Sequence, residues 1–159
     1  MLVEPATTEI IPSLQELARE VEPLFEGPMS DNKGFHEFIR RKIIQDEALM
    51  VRDGEHFNEL MGLIAFSHRN SAISWLAVFK KHKGKGIGSK LLEQAISKLG
   101  NKREISVITF SEHNESGLPA RSLYQKFGFQ DFYPNYYHDG LIRCIMKRPP
   151  HTFPLTTLA

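Results

Sequence analysis

Between Leu76 and Leu92 the chain reads LAVFKKHKGKGIGSKLL, and this stretch restricts the fold more than any other. An apolar, strand-like run enters a turn containing Gly84, Gly86 and Gly88. Apolar residues then resume at helical spacing as Ile87, Leu91, Leu92, Ala95, Ile96 and Leu99, with Gly100 as the stop. A helix that starts this way leaves its first backbone N–H groups unpaired and carries partial positive charge there. Such a terminus suits phosphate oxygens, and glycines let them approach the main chain. Lys80, Lys81, Lys83, Lys85 and Lys90 add five positive charges within eleven residues that hold no acid.

The flanking sequence supplies the other layers. Leu14, Leu17, Ala18, Val21, Leu24 and Phe25 recur at intervals of three and four, which predicts a helix over 14–25 stopped by Gly27-Pro28. A second helix, capped by Ser30 or Asp31, places Phe35, Phe38, Ile39 and Ile43 on one face. Ala48–Arg52, Leu60–Phe66 and Ile73–Phe79 read as strands divided by turn-like segments, and Ile105–Phe110 as a short central strand. Pro119 opens a helix whose stripe is Ala120, Leu123, Tyr124 and Phe127, ended by Gly128. Phe129–Tyr133 and Leu141–Met146 are the last strands, joined by the aromatic loop Tyr133–Asp139. Hairpins followed by a strand–helix–strand crossover imply an α/β fold: a mixed central sheet of six to seven strands with helices on both faces.

At 159 residues the chain fits one domain, expected over 1–147, with 148–159 as a proline-containing tail. The net charge is only +1, so the remainder outside the lysine run carries a net −4, and nothing in the total suggests a nucleic-acid or membrane partner. Cys144, in an apolar stretch, is expected to be a buried structural thiol, and no metal-ligand spacing exists. The N-terminal residues lack the pattern of a signal peptide, and no apolar run approaches the ~20 residues that span a bilayer. These features fit a cytoplasmic protein.

The glycine run is neither of two common phosphate loops. Four residues after Gly84 comes Ser89, which breaks the Walker pattern, and Gly84-x-Gly86-x-Gly88 is one residue short of the dinucleotide fingerprint. It resembles the pyrophosphate loop Arg/Gln-x-x-Gly-x-Gly/Ala of the GNAT acetyltransferases, which follows a strand ending Leu-Ala-Val. Here those positions are Leu76-Ala77-Val78 and Lys83-Gly84-Lys85-Gly86-Ile87-Gly88, then Ser89. A second match is Ala120-Arg121-Ser122-Leu123-Tyr124 followed by Gly128-Phe129, similar to the family's Ala-x-x-Leu-Tyr and Gly-Phe. The resemblance spans about residues 60–147. It departs at Lys83, which lacks the fork of arginine. It departs also at Gly117, where asparagine is common and Asn114 lies further back, and on the Ile73–Phe79 strand, which holds no carboxylate.

The resemblance implies N-acetyl transfer from acetyl-CoA to a primary amine by direct attack, with no metal. Leu76, Ala77 and Val78 would meet the pantetheine arm, Lys83–Ser89 the pyrophosphate, and an N–H near Val78 the thioester carbonyl. Tyr124 would donate to the leaving thiolate. A lysine-like amine holds its proton by about 4.6 kcal/mol at neutral pH, so a base or water relay is needed. Glu59, Glu112, His113 and His36 are the candidates. Phe25 and the loop to Asp31 would line one side of the acceptor cleft, and Trp75, Tyr133, Tyr136 and Tyr137 the other. The competing readings are a catalytically silent acyl-CoA-binding module and, more remotely, a nucleic-acid site on Lys80–Lys90. A homodimer bridged by the tail is a candidate assembly.

Overall fold

Each central strand is apolar on both faces and therefore needs a layer on each side. In this computed structural model, which describes residues 1–25, 27–55, 59–138 and 140–151, helices supply both layers. The elements run β1 (Val3–Pro5), α1 (Ile11–Phe25), α2 (Lys33–Ile44), β2 (Ala48–Asp53), β3 (Glu59–Ser67) and β4 (Ala72–Val78). They continue with α3 (Ile87–Leu99), β5 (Ile105–Phe110), α4 (Leu118–Lys126), β6 (Gln130–His138) and β7 (Leu141–Arg148). The seven strands lie in the order β1-β2-β3-β4-β5-β7-β6, antiparallel except for β4 beside β5. The expected mixed sheet is present.

Alternation along the strands divides the core. Leu49 and Val51 on β2, Ile64 and Phe66 on β3, and Cys144 and Met146 on β7 pack with α3 and α4. Met50, Leu63 and Ala65 face the other way, against Leu14, Leu17, Ala18 and Val21 of α1 and Ile39 of α2. A buried ion pair fastens α2 there: Lys42 reaches Glu47 at 3.1 Å and the Phe66 carbonyl at 2.8 Å, and Glu47 accepts the His68 N–H. Cys144 is fully buried, as expected.

Several details differ from the sequence reading. β1 went unread; it adds to the edge of β2, with Val3 opposite Val51, and Arg52 reaches back to Glu4 at 2.7 Å. The cap of α2 is Asn32, whose Oδ1 accepts the Phe35 N–H; Ser30 is instead held by Glu22. The supposed loop after Tyr133 is strand through His138, so β6 is longer than expected, and β7 runs to Arg148. Asp139 and most of the expected tail, 152–159, lie outside the described residues. Among the described residues, no helix is long and apolar enough to cross a membrane.

Candidate functional site

One extra residue opens the sheet. Phe66 on β3 pairs with Ile73, while the preceding Ala65 pairs with Trp75, so Ser74 is a bulge. Burial agrees: Ile73 belongs to the α3 side, yet Trp75, two residues on, belongs to the α1–α2 side. A bulge bends its strand and ends regular pairing. β4 pairs with β5 only at Ala72–Ser106 and Ile73–Val107, then parts from it.

Beyond that point the two strands enclose a cavity of about 750 Å³. The bond from Phe79 N to Met61 O makes these residues a hydrogen-bonded pair. Counting back along the register, Ala77 spends its backbone groups on Leu63, whereas Val78 and Leu76 turn theirs away from β3, toward the gap left by β5. Thus Leu76, Ala77 and Val78 all line the cavity, but only Leu76 and Val78 offer it free main-chain groups.

The glycine run closes one end. Gly84 and Gly86 have φ of 81° and 79°, in the left-handed region that favours glycine, and a Cβ at either would meet nothing within 4 Å. Gly86 caps α3, leaving the amides of its first turn toward the cavity. Lys83, Gly84, Gly86, Ile87, Gly88 and Ser89 line the cavity; Lys85 does not, its Nζ lying 3.3 Å from His82 Nδ1. The lysine run is partly spent elsewhere, since Lys81 pairs with Glu59 at 2.5 Å and Lys90 with Glu93 at 4.0 Å. His82, unremarked in the sequence, is buried in the wall. Burial, then Lys85 and Lys81, push its pKa down, so the ring is neutral at neutral pH.

Tyr124 stands in the wall on α4, its ring edge-on to Phe129 at 5.5 Å. Among the described residues nothing hydrogen-bonds its hydroxyl, and burial raises its pKa well above the tyrosine range. Arg121, three residues earlier, fixes α4: it meets both Asp131 oxygens at 2.9 Å and the Phe110 carbonyl at 3.2 Å. Gly117 matters sterically, because a Cβ there would lie 2.2 Å from Phe110 Cβ. Asparagine cannot occupy this position, and Asn114 uses its side-chain oxygen to accept the Ser116 N–H.

The opposite end is aromatic. Phe25 stacks on Phe110 at 5.4 Å and lies 6.3 Å from Trp75; Arg143 covers the Phe110 ring and donates to the Phe25 carbonyl at 2.7 Å. Glu22 holds the loop after α1 by accepting from the Met29 and Ser30 N–H groups and the Ser30 hydroxyl, bonds that draw its pKa down. Phe25 and Trp75 line the cavity as expected, but Tyr133, Tyr136 and Tyr137 do not. Nor do the four candidate bases. Glu59 is tied to Lys81, Glu112 and His113 are exposed neighbours, and His36 Nε2 bonds the Ser30 carbonyl at 2.5 Å. Arg143 was missed because a charge in an alternating strand reads as an outward-facing group.

Residues 20–148 match the model of the acetyltransferase (GNAT) domain family. Solved structures of the same fold include the NatC complex bound to Gag peptide and CoA, at 23% identity and a TM-score of 0.71, covering 94% of this chain and 98% of that one. The PaiA N-acetyltransferase from Thermoplasma acidophilum, in complex with coenzyme A, is 19% identical, with a TM-score of 0.65 over 93% of this chain and 98% of its own. An N-acetyltransferase from Staphylococcus aureus Mu50 is 16% identical, with a TM-score of 0.72 over 93% and 97%. No curated protein sequence matches.

Proposed function

The chain belongs to the GNAT acetyltransferase family, and on that footing we propose that it transfers an acetyl group from acetyl-CoA to a primary amine by direct attack. The observation that carries this reading is the gap between β4 and β5, with unpaired amides at its glycine end and Tyr124 in its wall. The CoA held by the NatC and PaiA structures supports the choice of donor.

The residues suit the ligand. The open left-handed glycines Gly84 and Gly86 can admit a diphosphate to the main chain, with Gly88, Ser89 and Lys83 beside it. Leu76 and Val78 would pair with the amides of the pantetheine arm, as a further strand would. The Val78 N–H can polarise the thioester carbonyl as charge builds on its oxygen. The amine nitrogen then bonds to the carbonyl carbon, the C–S bond breaks, and the Tyr124 hydroxyl donates a hydrogen bond to the departing sulfur. Full transfer of the Tyr124 proton is unfavourable, since burial strengthens its hold; the thiolate takes its proton from solvent. Among the described residues the cavity lining holds no Asp or Glu, and its one imidazole, His82, stands beside the glycine turn rather than at the acceptor end, so on this reading the ammonium loses its proton to water before or during attack.

That missing carboxylate favours one competing reading, a silent acyl-CoA-binding module. Two measurements separate them. Acetyl-CoA at a hundred times its Kd should stabilise the protein by about 2.7 kcal/mol, which is roughly 5–11 °C at this length. Thiol release should then follow with some member of an amine library. Stabilisation without release from any amine would establish the silent module.

A further inference from the structure

Among the described residues, the acceptor end of the cavity holds an arginine and no carboxylate. Among the described residues, Arg143 spends one N–H, on the Phe25 carbonyl, of the five donors its guanidinium carries. Trp75 lines the same end with its ring, its indole N–H being buried away from the cavity surface. Arg143 also borders a second, smaller cavity of about 400 Å³, lined by Ser111, His113, Asn114 and Asn135 among others. Neither cavity has an Asp or Glu in its lining among the described residues.

Building on the acetyl-transfer reading, we infer that the acceptor is a small amine carrying a carboxylate, with Arg143 as the residue that selects it. A carboxylate supplies the negative charge that the described lining of this end lacks, and arginine matches it with a two-pronged fork. The surroundings, Leu24, Phe25, Phe110 and Trp75, offer apolar and aromatic surface beside that anchor, which suits an apolar amino acid. The same lining disfavours polyamines, because a second ammonium would find the Arg143 cation and, among the described residues, no counter-charge. The balance is simple: the neutral amine and acetyl-CoA give the N-acetyl amino acid and free CoA thiol. The substrate's carboxylate stays bound to Arg143 throughout and takes no part in the bond changes.

The test compares thiol release from acetyl-CoA with L-leucine, L-methionine and L-phenylalanine, each beside its carboxamide, and with spermidine and a short peptide. The carboxamides have less basic amines and would react faster if nothing read the carboxylate. The acids should instead exceed their amides in kcat/KM by roughly ten- to a hundredfold, mostly through KM. Arg143→Gln should abolish that ratio, and Arg143→Lys should keep part of it. Both should retain the acetyl-CoA thermal shift, which reports the other end of the cavity. Amides matching or beating acids in the wild type, faster turnover of spermidine or peptide, or an Arg143→Gln enzyme with an unchanged ratio would overturn the inference and leave acetyl transfer standing. Absence of release with every acceptor would overturn both.

Discussion

Replacing Tyr124 with phenylalanine removes a single oxygen from the cavity wall, and the structure makes its consequences separable. The ring packs on Phe129 and would stay. The hydroxyl has no hydrogen-bond partner among the described residues, but it belongs to the cavity wall and is not one of the fully buried, unpartnered polar atoms. Stability at pH 7 should therefore change little. Catalysis should change more. A hydrogen bond to a charged group is worth about 1.5–3 kcal/mol, so kcat should fall about 10- to 150-fold. The KM for acetyl-CoA should change little, because sulfur gains its charge only in the transition state.

The pH dependence gives an independent check. Burial raises the pKa of Tyr124 in the folded protein above its value in the unfolded chain. Its protonated state is thus compatible with the fold below about pH 10. Above that, the unfolded chain loses the proton while the folded one keeps it. Wild-type stability should then drop by about 1.4 kcal/mol per pH unit relative to Tyr124→Phe, until the folded pKa is reached. Denaturant titrations of both proteins at pH 8 and pH 10.8, with initial-rate thiol release at pH 8, measure all of this. An unchanged kcat in a folded variant would refute the donor role, and parallel stability curves at high pH would refute the buried, protonated phenol.

Gly86→Asp should cost about 1–2 kcal/mol through its left-handed backbone. It should also abolish the acetyl-CoA thermal shift by setting a carboxylate against the diphosphate; a retained shift would remove the loop from the site. Gly117→Asn restores the asparagine common in the family, yet the 2.2 Å approach to Phe110 Cβ predicts loss of about 3 kcal/mol or more in chemical denaturation. Lys42→Met leaves Glu47 buried without its partner and should cost about 3–5 kcal/mol, whereas Lys42→Met with Glu47→Leu should recover only part of that, since the Phe66 carbonyl and the His68 N–H then lose their side-chain partners.

The sequence was most legible where a single period or turn decides local structure. The stripe Ile87, Leu91, Leu92, Ala95 and Ile96 became the buried face of α3, and Gly84–Gly86 became the turn before it, with Gly88 in its first turn. It was least legible where a distant partner decides. Val3–Pro5 has no strand pattern of its own and pairs because β2 offers an open edge. Pro134 and Asn135 argue locally for a loop, but an edge strand tolerates proline: the register slips there, and pairing with β7 resumes at Tyr136–Arg143. Ser30 is a good cap by composition; Glu22, eight residues earlier, takes both its N–H and its hydroxyl, so Asn32 caps α2 instead. Gly117 read as a missing asparagine because the ring that fills its place belongs to β5.

The position of Ser74 links these two kinds of information. Without the extra residue, β4 would continue in register beside β5, and the main-chain groups of Leu76 and Val78 would be consumed by that neighbour. With it, the strand changes face within two residues. Trp75 is sent toward α1, while Leu76 and Val78 keep their N–H and C=O groups turned from β3 toward the cavity. On the function proposed above, the few ladder bonds that the bulge costs the sheet would be replaced by a bound pantetheine arm. Deleting Ser74 should close the gap by restoring regular pairing, so a deletion variant that folds should neither bind acetyl-CoA nor protect it from hydrolysis. Retained binding would mean that the opening between β4 and β5 has some other cause.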